Sequence, residues 1–147
     1  MSVLFVSQGC DNTSGDVIDR VVDILLVDKE NNNLLKNGVI NPDDLNLYYL
    51  INGEKKLYYN GNYDAPKGYL IWEDQDNRSI LRIFANDDIY TPVTLVEYTK
   101  NDVDTIKCEF HRDDSNIIVQ KVWYNSELKW EVGNNNFPGR AIFTVTK

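Results

Sequence analysis

The stretch Leu45-Asn46-Leu47-Tyr48-Tyr49-Leu50-Ile51-Asn52-Gly53-Glu54-Lys55-Lys56-Leu57-Tyr58-Tyr59 decides the fold class. Two apolar and aromatic runs flank Asn52-Gly53, the dipeptide that most readily takes the two successive positive φ angles of a type I′ turn. A β-hairpin is the prediction. The same grammar extends in both directions. Residues 17–27 read as a strand whose imperfect alternation signals a bulge or a frayed start. Further strands are predicted over 68–73, 79–86, 91–99, 103–111, 117–124, 127–132 and 141–146, separated by turn clusters such as Asp74-Gln75-Asp76-Asn77, Asp87-Asp88 and Asn125-Ser126. No segment carries the period of an amphipathic helix. Short strands at this spacing predict an all-β fold, a two-sheet antiparallel β-sandwich of immunoglobulin-like or transthyretin-like type, with a closed barrel as the alternative.

Composition agrees. The 147 residues suffice for one domain with its own core. Eighteen Asn and few Ala suit turns better than helices, and nine of seventeen aromatics are Tyr, which fits half-buried pleated surfaces with the hydroxyl left wet. No run of 18 apolar residues is present to form a membrane-spanning helix. Fifteen basic against 23 acidic side chains leave a net charge of −8, which disfavours nucleic acid and anionic lipid surfaces as partners.

The N-terminus reads as a processing signal. Val3-Leu4-Phe5-Val6 is apolar, Ser7-Gln8-Gly9 is small and polar, and Cys10 is followed by the polar stretch Asp11-Asn12-Thr13-Ser14-Gly15-Asp16. A lipoprotein peptidase cuts before a cysteine preceded by a small residue, a place that Gly9 fills, although Ser7 stands where such signals usually carry Leu. This gives residues 1–9 as a signal-peptide remnant, 10–16 as a tether with Cys10 lipidated, and 17–147 as a single sandwich domain. Cys108 shares a strand face with Ile106 and Phe110 and is expected to be a buried small hydrophobe. A Cys10–Cys108 disulfide is the competing use of the two thiols.

The lipobox-like cysteine, the turn Asp28-Lys29-Glu30-Asn31-Asn32-Asn33, the hairpin, and Asp104-Thr105-Ile106-Lys107-Cys108-Glu109-Phe110 leading to Lys121-Val122-Trp123-Tyr124-Asn125 and Trp130 together resemble small uncharacterised lipoproteins of Bacteroidetes. That resemblance implies an envelope location and a β-sandwich, and carries over no catalytic residue.

Catalytic signatures are missing. There is no Gly-x-Ser-x-Gly elbow, His-Glu-x-x-His, P-loop or dinucleotide fingerprint. His111, the only histidine, lies at a strand end on the outer face, without a second His or a Cys to complete a zinc set. Asp43-Asp44, Asp87-Asp88 and Asp113-Asp114 fall at turns, where Asp caps local amides. Asp28, Glu30 and Asn32 alternate as calcium ligands do, but Asn33 and Val39 stand where an EF-hand needs Gly and Glu; irregular calcium loops there or at Asp74, Asp76 and Asn77 are the residual metal reading. No metal and no cofactor is expected.

The aromatic pool, Tyr48, Tyr58, Tyr63, Tyr69, Trp72, Trp123 and Trp130, offers rings that stack on sugar faces. Tyr48, Tyr58, Trp72, Trp123 and Trp130 are the ligand-binding candidates. In Trp123-Tyr124 one ring must point out of a regular strand, and the sequence does not say which. The expectation is a non-catalytic binding or scaffolding module of the cell envelope, whose partner is a glycan or an envelope protein and whose membrane contact is the lipid anchor. A carbohydrate-binding surface module is the first alternative, and a carboxylate-based hydrolase the second.

Overall fold

The computed structural model describes residues 15–147; Cys10 and the processing signal lie outside them. The fold is all-β, two sheets packed face to face. Strands β1 (Val17–Asp19), β3 (Asn46–Ile51), β4 (Glu54–Leu57), β7 (Val93–Thr99), β8 (Asp102–Arg112), β9 (Asn116–Tyr124) and β10 (Glu127–Glu131) form a seven-stranded sheet. Its order is β1-β9-β8-β7-β3-β4, with β10 also on β9. The second sheet orders β11 (Ile142–Thr146), β2 (Val21–Val27), β6 (Ser79–Phe84) and β5 (Tyr69–Glu73).

The β3–β4 hairpin turns at Asn52 (φ 52°) and Gly53 (φ 80°), the left-handed pair that the dipeptide predicts. The 17–27 segment departs from expectation. It is two strands in two sheets, divided at Arg20: β1 is exposed and pairs with β9, whereas Val22–Val27 of β2 is buried on both faces. Burial on both sides removes the alternation that one solvated face would impose.

The pairing is antiparallel, as expected of the sandwich, at all but two places. Both sheets are mixed, because β1 runs parallel to β9 and β11 parallel to β2. Parallel neighbours need a crossover rather than a tight turn, and the 132–141 connection supplies one by carrying the chain from β10 in one sheet to β11 in the other.

The core lies between the sheets. Val22, Ile24, Leu26, Leu81 and Ile83 pack against Leu47, Val96, Tyr98, Ile106, Cys108, Val122 and Tyr124. Cys108 is buried, as its strand face predicts, and burial pushes its thiol up to about 12. Leu34, Leu35 and Leu45 from the long 28–45 connection join the same core. The outer face of the four-stranded sheet is covered as well: Trp72 lies over Leu25, Val27 and Ile80.

Candidate binding site

The five predicted aromatics do not converge. Trp130 is 4% exposed and donates its indole N–H to Gly139 O at 3.1 Å, so it is an interior side chain. The guanidinium groups of Arg82 and Arg140 each lie 5.1 Å from the Trp72 ring, and its N–H is 3.4 Å from Asp23 Oδ1. Tyr48 and Trp123 both project from the outer face of the seven-stranded sheet, under Lys55 and Lys107 respectively. Strands β7 and β8 separate them, a gap of about 14 Å at ordinary strand spacing, so they form no continuous platform. Tyr124 is the inward ring of the Trp123-Tyr124 pair.

Tyr58 is the one that meets further suitable groups. With Tyr63, Arg20, Asp64, Leu70 and Phe84 it lines a cavity of about 310 Å³. The hairpin positions it: Tyr58 N–H donates to Leu47 O at 2.9 Å, one step beyond β4, and its ring packs on Tyr49 with centroids 4.6 Å apart. Gly68 makes room, because a Cβ there would come within 2.7 Å of Tyr58 Cδ1 and its φ of +83° disfavours any other residue. The intervening loop is folded by Asn60, whose N–H reaches Pro66 O at 2.7 Å, whose side chain accepts from Asn62 N–H, and whose carbonyl accepts from Tyr63 N–H. Tyr63 is thereby held with 61% of its surface exposed. Arg20 enters from the break between β1 and β2 and pairs with Asp87 at 3.5 Å.

Two phenol rings, one guanidinium and one carboxylate around a concave apolar floor combine flat stacking surfaces with polar groups of both kinds. The sequence reading included Tyr58 and Tyr63 in its pool but missed Arg20 and Asp64. Only the change of sheet at Arg20 and the turn at Asn60 bring those two to the aromatics.

A larger cavity, about 580 Å³, lies elsewhere, where β10 and β11 flank the open side of the sandwich. A polar chain runs into it. Tyr98 and Tyr124 hydroxyls are 2.7 Å apart, Tyr124 donates to Asp104 Oδ2 at 2.5 Å, and Asn125 donates to Asp104 Oδ1 at 2.9 Å. Lys147 Nζ donates to Asp104 at 2.5 Å and to Asp102 at 2.9 Å. Burial by itself raises the Asp104 pKa, but the bonds from Lys147, Tyr124 and Asn125 outweigh it and hold the carboxyl below its ordinary value. Burial also pushes the Tyr98 and Tyr124 phenols well above theirs.

A carboxylate hydrolase needs a general acid held protonated near neutral pH. Asp104 is shifted the other way, so this cluster is built as a structural clasp. Its depressed pKa stabilises the fold above the unfolded-state value near 3.9, and that contribution is lost as pH falls through the lower folded value. Asp104→Asn is accordingly expected to lower stability at pH 7 and to flatten the acid limb below about pH 4. Urea midpoints measured from pH 7 to pH 2 check this.

The acidic turns are also occupied locally. Asp28 accepts from the Glu30 and Asn32 amides and the Asn32 side chain, while Asp74 accepts from the Asp76 and Arg78 amides and the Arg78 guanidinium. Asp113 accepts from Ser115 N–H, Asn116 and His111, which lowers its pKa to about 2. These carboxylates cap turns, and among the described residues no cluster of three His, Cys, Asp or Glu has metal-binding geometry.

Comparison with protein-family models, with curated proteins and with solved structures finds no match to this chain.

Proposed function

We propose that this chain is a non-catalytic binding module of the bacterial cell envelope, tethered by a lipid on Cys10, that takes a sugar ring in the Tyr58–Tyr63 cleft. The observation that carries the binding half is the convergence of an exposed Tyr63 with Tyr58, Arg20 and Asp64 around one cavity. A sugar has apolar ring faces and an equatorial rim of hydroxyls, which matches rings on the walls and charged hydrogen-bonding groups at the edge. Tyr49 and Phe84 hold the floor, since the Tyr49 hydroxyl donates to Phe84 O. The site is therefore largely pre-formed, which keeps the ordering cost of binding low. The tether half rests on the Ser7-Gln8-Gly9-Cys10 sequence and the polar residues that follow it.

Each half has its own test. On an array of oligosaccharides, the wild-type chain is expected to select one class of glycan, and Tyr63→Ala to weaken that binding by at least about tenfold, the loss of roughly 1.4 kcal/mol. Because Tyr63 is mostly exposed, its thermal midpoint stays within about 1 °C of wild type. Trp123→Ala, on the other face, leaves binding unchanged. Loss of binding in Trp123→Ala with retention in Tyr63→Ala transfers the site to the outer face of the large sheet. For the tether, intact mass of protein expressed from its native gene should show a mature chain starting at Cys10 with added diacylglycerol. An unmodified chain that retains Met1 refutes it.

A further inference from the structure

Sheet edges offer unpaired N–H and C=O groups to any passing strand, and proteins commonly blunt them with charge, brevity or a covering segment. Four edges here follow that practice. Strand β4 carries Glu54, Lys55 and Lys56, β10 carries Glu127, Lys129 and Glu131, and β1 is three residues long. Strand β5 is flanked by the 33–45 segment, through Lys36 to Glu73 at 3.7 Å at one end and Tyr69 to Pro42 O at 2.5 Å at the other.

Strand β11, Ile142-Phe143-Thr144-Val145-Thr146, is the exception. It has no charge and no proline, and among the described residues it pairs on one side only, with β2. Asp23 N–H donates to Ala141 O at 2.9 Å and Lys147 N–H to Val27 O at 2.8 Å. In a parallel ladder that phase turns the odd-numbered residues toward β2 and aims the N–H and C=O groups of Ile142, Thr144 and Thr146 outward. Among the described residues none of those groups has a partner.

The 580 Å³ cavity opens directly alongside this edge, lined by Thr144, Thr146, Asp102, Glu127, Lys129 and Lys147 among others. We infer that β11 is a docking edge for an extended segment of another protein bearing Lys or Arg at alternate positions, which adds as a fifth strand and sets its cations in the β10–β11 cavity. Main-chain bonds along Ile142, Thr144 and Thr146 give such a complex its affinity, and alternate side chains give it selectivity. Charge chooses the partner. Lys129 pairs with Glu127 at 3.3 Å and Asp102 and Asp104 share the single cation of Lys147, which leaves the cavity one negative charge in excess, and a chain of net charge −8 repels a second copy of itself.

Amide hydrogen exchange on the full chain tests this, with a synthetic peptide of alternating Val and Lys as the probe. In the free protein the Ile142, Thr144 and Thr146 amides should exchange quickly while Phe143 and Val145 are protected. Saturating peptide is expected to slow those three by at least about tenfold. The same peptide with Glu in place of Lys is expected to bind at least about tenfold more weakly. Thr144→Pro removes only an outward N–H and should abolish the peptide effect with the fold retained. Should that variant unfold, the wild-type exchange pattern still decides. Protection of the three amides in the free chain shows an edge already paired within the molecule, and unchanged exchange with peptide shows one that takes no strand; either overturns the inference. Equal protection by the Glu peptide overturns the cationic partner.

Discussion

Trp130→Ala is expected to lower the free energy of unfolding by about 3–5 kcal/mol. The indole sits on the inner side of β10, within the main core and beside Val119 and Ala141. Its loss removes more apolar contact than any Leu or Ile deletion, and also deletes the N–H that satisfies Gly139 O in the crossover to β11. A cavity of about 330 Å³ already adjoins the ring, so truncation merges the two spaces rather than allowing collapse. Trp130→Phe keeps a ring and loses chiefly the hydrogen bond, for a smaller deficit of about 1–2 kcal/mol. Urea titration at constant m-value measures both. Retained stability in Trp130→Ala accompanied by loss of ligand would instead return Trp130 to the surface role that its residue type first suggested.

Asp23→Ala should cost about 2–4 kcal/mol, through a different mechanism. Asp23 has no exposed surface, yet it lies on the outer face of the four-stranded sheet. Two guanidinium groups and an indole roof it. Arg82 binds both carboxylate oxygens, at 2.9 and 2.8 Å, and Arg140 approaches to 3.0 Å. Both cations also lie 5.1 Å from the Trp72 ring. Removing the carboxylate leaves Arg82, which is only one-quarter exposed, without its counter-charge. The greater part of the loss is that stranded cation, not the missing attraction. Hence Asp23→Leu combined with Arg82→Met should be closer to wild type than Asp23→Ala alone. Thermal midpoints of the two variants and the wild type test the ordering, and a double variant as poor as the single one contradicts it.

Local chemistry explains what was legible in the sequence. Asn52-Gly53 has few other uses between two apolar runs, and the Asp- and Asn-rich clusters at 74–77 and 113–116 cap their own amides, so turns and strand limits could be read within a residue or two. Facing and pairing across the chain could not. Tyr124 turns inward because β9 registers against β8, placing its hydroxyl on Tyr98 and Asp104, and nothing near residue 124 encodes that. The parallel pairs join Val17 to Asn116 and Asp23 to Ile142, and no turn signal spans such distances. The cleft shows the same division. Tyr58 and Tyr63 stand out by residue type, whereas Arg20 reaches them only because the strand changes sheet beside it. Trp72 and Trp130, the more conspicuous aromatics, are consumed by packing.

The most direct measurement is a two-dimensional amide NMR titration of the full chain with a panel of glucose, mannose, galactose and N-acetylglucosamine oligomers. At least one sugar should produce saturable shifts clustered at Arg20, Tyr58, Tyr63 and Asp64, absent in Tyr63→Ala, with Trp123 and Tyr48 unmoved. Shifts confined to the Trp123 face, or none at the cleft with any member of the panel, would contradict a sugar-binding role for it.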